Sequence, residues 1–122
     1  MAHKFYFGDK LIRTSKDHIY THAAININTG KCYGCSSTLK GAQANIDRML
    51  SGHRTGIENT KNAIAALARG QKGYWYKDGR RGWYHRFEKD DTLEAYDKWI
   101  KYHEDTIDWI TKNLRVVELE ER

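Results

Sequence analysis

The sequence predicts an α+β fold in a single domain over residues 1–122. It consists of a small N-terminal antiparallel sheet with an aromatic hairpin, packed against long antiparallel helices. Three observations predict it. The first third alternates apolar and polar residues between hairpin-type turns. From Thr38 onward apolar residues fall at helical spacing, and a heptad seam runs from Leu93 to Leu114. A length of 122 residues favours one domain. Four Trp, eight Tyr and three Phe give the core a large share of aromatic area.

The strands come first. Lys4 to Phe7 and Leu11 to Thr14 flank Gly8-Asp9, a hairpin dipeptide. His18 to Ile27 alternates, with Ile19, Thr21, Ala23, Ile25 and Ile27 on one face. His18, Tyr20, His22, Ala24 and Asn26 take the other. Asn28-Thr29-Gly30 turns the chain, with Gly30 suited to the left-handed position, and Lys31 to Ser36 is the partner strand. This register sets Asn26 opposite Cys32 and Ala23 opposite Cys35. The two thiols then point to opposite faces of the sheet and cannot both reach one tetrahedral metal ion unless the segment is a knuckle instead of a strand.

The helices follow. Ser36 or Ser37 is the expected cap of a helix beginning near Thr38, with Leu39, Ala42, Ile46, Met49 and Leu50 on one face. Gly52 and Gly56 weaken its continuation by up to about 1 kcal/mol each. Ile57, Ile64, Leu67 and Ala68 resume the pattern, and Gly70 is the stop. One interrupted helix or two would satisfy this spacing. Near the C-terminus, Asp91-Thr92-Leu93-Glu94 resembles a capping box with Asp91 as the cap. Leu93, Tyr96, Ile100, His103, Ile107, Ile110 and Leu114 then form the seam of a helix from Thr92 to Leu114. Such a helix is about 35 Å long, against a radius of gyration of about 14 Å for a domain of this size. The seam is therefore expected to pack on the earlier helix and on part of a neighbouring subunit. Arg115 to Leu119 reads as a last strand or a frayed helix end.

Between the helices lies GYWYKDGRRGWYHRF, Gly73 to Phe87. A two-residue turn at Asp78-Gly79 would oppose Lys77 to Arg80, a like-charge pair that costs stability. A four-residue loop, Asp78 to Arg81, instead pairs Lys77 with Gly82, Tyr76 with Trp83 and Trp75 with Tyr84. One face then carries Tyr74, Tyr76, Trp83, His85 and Phe87, and reads as core. The other carries Trp75, Lys77, Tyr84 and Arg86. Flat rings beside cations, with Arg80 and Arg81 in the loop, suit stacking a base while holding its phosphate. The competing reading is an amphipathic hairpin whose Lys and Arg stems cover exposed rings.

Charge and motifs bound the function. A net charge of +5 and a pI of 9.2 suggest an anionic partner. No apolar run is long enough for a transmembrane helix, and MAHKFYFGDK has no h-region of a signal peptide. Two cysteines make no disulfide framework and read as small buried thiols. There is no Ser nucleophile elbow, Walker loop, His-Glu-x-x-His or pair of His-x-Thr/Ser triplets, so no enzyme, metal or cofactor is expected.

One stretch adds a resemblance. Within LIRTSKDHIYTHAAININTGK, the residues Arg13-Thr14-Ser15, Tyr20-Thr21-His22-Ala23 and the Asn28-Thr29-Gly30 turn resemble the phage anti-Thoeris sponge family. That family captures cyclic ADP-ribose-type signals made by bacterial TIR-domain enzymes. The likeness covers mainly residues 11 to 36. It implies a non-catalytic protein in the cytoplasm of the bacterial host that binds the intact signal at subunit interfaces. It also implies a homo-oligomer built from dimers, up to a hexamer, and a separate site for cyclic oligonucleotides in some members. On chemical grounds the candidate ligand residues are Arg13, Tyr20, His22, Trp75, Arg80, Arg81, Tyr84 and Arg86. The alternative is a small basic protein that binds nucleic acid or inhibits a nucleic-acid enzyme.

Overall fold

Residues 2–70, 74–77, 84–87 and 92–122 are described by a computed structural model of the chain. They form two compact units, 1–51 with 108–122, and 52–107.

The first unit holds two three-stranded antiparallel sheets. In one, β1 (His3–Phe7) lies between β2 (Lys10–Ser15) and β8 (Glu120–Glu121). In the other, β3 (His22–Asn26) lies between β4 (Cys32–Ser36) and β7 (Leu114–Glu118). The α+β class stands, but the single N-terminal sheet becomes two. The reason is that 114–118 is a strand, and 120–121 continues onto β1.

Turn chemistry sets both hairpins. Gly8 takes a positive φ of 59° between β1 and β2. Gly30 does so at 76°, while the Asn26 side-chain oxygen accepts from the backbone N–H of Asn28 (2.8 Å) and Thr29 (3.2 Å). Those bonds satisfy the side-chain oxygen of a residue that is only 6% exposed.

The predicted strand over His18 to Ile27 is shorter, beginning at His22. Ser37 donates to the Ile19 carbonyl (2.7 Å), which ties the segment before Thr21 to a side chain instead of a ladder. Being central, β3 is buried on both faces: Ala23, Ala24 and Ile25 are each 0% exposed, while Ile19 and Ile27 are exposed. Ala24 packs with Ile46, Ile110 and Leu114, flanked by Tyr33, Met49, Leu50 and Val116.

The helix α1 runs unbroken over Leu39–Ala68. Its cap is Thr38, one or two residues beyond the expected serines, because the Thr38 hydroxyl accepts the Gly41 N–H at 2.9 Å. The helix passes through Gly52 and Gly56 and stops before Gly70, whose φ is +78°. The helix α2 covers Leu93–Asn113. Thr92 caps it, accepting the Ala95 N–H at 3.2 Å; the expected cap, Asp91, lies outside the described residues.

In the second unit the small residues Thr60, Ala63 and Ala66 of α1 are buried, and on α2 Tyr96 is 2% exposed. The expected seam holds at Tyr96, Ile110 and Leu114, but its first member, Leu93, is 54% exposed. In the same unit β5 (Tyr74–Lys77) pairs with β6 (Tyr84–Phe87). Their register is Tyr74 with Phe87, Trp75 with Arg86, Tyr76 with His85, and Lys77 with Tyr84. This corrects the expected register by two residues, so that six residues, not four, separate the strands. It sets two aromatic positions opposite cationic ones, pairings that favour a hairpin. A slip of two preserves the alternation, so the division into two sets of positions survives. The loop arginines Arg80 and Arg81, and Trp83, lie outside the described residues.

Candidate functional site

In the first unit, Arg13 on β2 stands opposite Phe5 on β1, and Phe5 is 1% exposed. Tyr20, in the segment before β3, meets the Phe5 ring edge-on at 5.6 Å between centroids. That contact fixes the phenol ring, and the Arg13 guanidinium lies 5.5 Å from its centroid. His18 flanks the ring at 6.0 Å, its backbone N–H held by the Ser15 hydroxyl at 3.0 Å. The sequence thus places a cation and a half-buried ring together through one buried phenylalanine.

The charge environment separates Arg13 from Arg122, a second exposed arginine lying over a ring. Arg122 lies 4.9 Å from the Tyr6 ring centroid, but it also pairs with Glu120 (3.4 Å) and reaches Asp9 (3.9 Å). Among the described residues no carboxylate lies within ion-pair distance of Arg13. Its fork of N–H donors is therefore available to an anion. Of the remaining candidates, His22 is half-buried and its Nδ1 bonds the Thr21 hydroxyl at 2.8 Å. Trp75, Tyr84 and Arg86 are placed by strand register in the second unit.

No protein-family model, curated protein or solved structure matches the chain. Its functional reading rests on its own geometry and on the sequence resemblance.

Two features escaped the sequence reading. The first is an aromatic group in the second unit. His53 and His103 approach Nδ1 to Nδ1 at 3.0 Å, which requires one ring to donate and the other to accept. Trp99 and Tyr102 flank His103 at 6.0 and 5.2 Å. Burial, then the neighbouring His53, lowers the pKa of His103 below its ordinary 6.5. Beside the group, Ala95, Lys98, Trp99 and Tyr102 line an open apolar depression of about 450 Å³. The signal was the i, i+3, i+4 spacing of Trp99, Tyr102 and His103, of which His103 lies on the heptad seam and the two aromatics beside it.

The second is the cysteine pair. The β3–β4 register shifts between Ala24 and Ile25, so that Ala24 faces Gly34 and Ile25 faces Cys32. Tyr33 is the extra residue of a β-bulge. Cys32 and Cys35 therefore oppose Ile25 and Ala23, two positions on one face, and their sulfurs lie 3.6 Å apart. The expectation of opposite faces is overturned by that one residue. Among the described residues no group of three or more His, Cys, Asp or Glu gathers around a metal position.

Proposed function

We propose that this protein is a non-catalytic sponge for a cyclic nucleotide immune signal of the cyclic ADP-ribose type, acting in the cytoplasm of a bacterial host. The observation that carries the reading is the Arg13 guanidinium held over Tyr20 with no carboxylate partner among the described residues. A cyclic ADP-ribose isomer presents a pyrophosphate and an adenine. Capture needs cationic donors and a ring, and no general base. Arg13 takes the phosphate and Tyr20 contacts the ring system, with His22 as a hydrogen-bonding neighbour. Trp75, Tyr84 and Arg86, with Arg80 and Arg81 of the loop, form a second set with the same chemistry, tested separately.

Sequestration requires tight binding, and a nanomolar Kd corresponds to about −12 kcal/mol. A closed pocket between subunits supplies the necessary enclosure better than one flat face. Exposed Trp99 and Tyr102 on α2 support a homo-oligomer built from dimers. No described helix is long and apolar enough to cross a membrane.

Calorimetry against cyclic ADP-ribose isomers, cyclic oligonucleotides and a DNA oligonucleotide tests the reading. Saturable binding of a cyclic nucleotide, with the ligand recovered intact after heating, supports it. Consumption of the ligand would make the protein an enzyme. Binding confined to the oligonucleotide and falling steeply with salt would favour the nucleic-acid alternative.

A further inference from the structure

The cysteine pair carries chemistry that the nucleotide reading does not use. In a regular strand, residues three apart point to opposite faces and are separated by about 10 Å along the chain. Here the bulge at Tyr33 brings Cys32 and Cys35 to one face with 3.6 Å between sulfurs. Gly34 occupies the bend at a φ of +152°, and a Cβ there would come within 2.6 Å of the Asn45 amide. The strand is therefore shaped around this position. Both cysteines are free and half-buried.

We propose that Cys32 and Cys35 form a reversible dithiol–disulfide couple, a redox modification site built by the bulge and served by low-molecular-weight disulfides such as glutathione disulfide. Closure needs the sulfurs to move from 3.6 Å to a bond length of about 2.05 Å. Burial, then the hydrogen bond and charge of Cys32, pushes the Cys35 thiol up to about 12, with Arg13 acting in the opposite direction. Cys35 therefore stays protonated at neutral pH, so the first attack falls to Cys32, whose sulfur loses its proton to solvent as it attacks.

The Cys32 sulfur attacks glutathione disulfide, forming a mixed disulfide and releasing one glutathione thiolate. The Cys35 thiol then gives its proton to that thiolate or to water and attacks the Cys32 sulfur. The second glutathione leaves with the electron pair of the broken S–S bond. The net change is two protein thiols plus one glutathione disulfide to one protein disulfide plus two glutathione thiols.

The test equilibrates the full chain across ratios of reduced to oxidised glutathione, traps free thiols by alkylation and reads the intact mass. The expected result is a species two hydrogens lighter that takes no alkyl group, appears in one step and is reversed by dithiothreitol. Cys35→Ser should end as a glutathione adduct at Cys32, whereas Cys32→Ser, left with the protonated Cys35 thiol, should form one far more slowly. Two alkyl groups on the wild-type chain at every ratio would overturn the proposal. So would accumulation of glutathionylated chain or disulfide-linked dimers in place of the closed form.

Discussion

Arg13 shows how much one side chain's surroundings decide. It is exposed on β2, so truncating it should leave the fold intact. A hydrogen bond to a charged group is worth about 1.5–3 kcal/mol, so Arg13→Ala should weaken nucleotide binding ~10–100-fold. Arg13→Lys should restore little of this, because an ammonium offers no planar fork. Calorimetry of both variants checks the point. Equal affinity in Arg13→Ala and wild type would remove Arg13 from the site. His103 makes a different prediction. Its folded-state pKa lies below 6.5, so the unfolded chain binds the proton more readily. This residue's contribution to stability is complete above pH 6.5 and shrinks as pH falls from 6.5 toward the lowered folded value. Urea midpoints at pH 7.5 and 5.5 should therefore fall further in the wild type than in His103→Gln.

At the scale of elements, three glycines separate cases that sequence treats alike. A Cβ on Gly52 meets nothing within 4 Å, so Gly52→Ala should stabilise α1, by up to about 1 kcal/mol. A Cβ on Gly56 would come within 2.5 Å of the His103 ring, itself enclosed by His53, Trp99 and Tyr102. Crowding of that kind costs about 1–3 kcal/mol, exceeding the helical gain. Gly34→Ala combines an unfavourable φ with the Asn45 clash, and should cost about 1–3 kcal/mol from backbone strain alone. Urea melts of the three variants should rank them Gly52→Ala above wild type and the other two below it.

These glycines also mark where the sequence was legible. Periodicity located α2 to within a residue at each end, because its seam is amphipathic. Hairpin dipeptides located β1, β2 and the turn at Gly30. The bulge at Tyr33 was not legible, since nothing in the short run Cys32 to Ser36 marks the one extra residue that reverses which face the next thiol takes. The hairpin register failed for a related reason. Avoiding a like-charge pair excluded one register but could not choose among longer loops. The stacking of Arg13 on Tyr20 depends on Phe5, fifteen residues before Tyr20 in the chain, a contact that no local pattern encodes.

At the scale of the molecule, the proposed assembly and the proposed ligand stand or fall by separate measurements. Trp99 and Tyr102 are 47% and 54% exposed on neighbouring turns of α2. If that face meets a second subunit, the Trp99→Lys, Tyr102→Lys double variant should sediment at a lower mass than the wild type. An unchanged mass would place the oligomer contact elsewhere. The central claim is the capture of an intact cyclic nucleotide, and titration calorimetry with cyclic ADP-ribose isomers tests it most directly. The account predicts saturable binding with a submicromolar Kd, a ligand released unchanged on heating, and ~10–100-fold weaker binding in Arg13→Ala. Absence of heat with every cyclic nucleotide would contradict it.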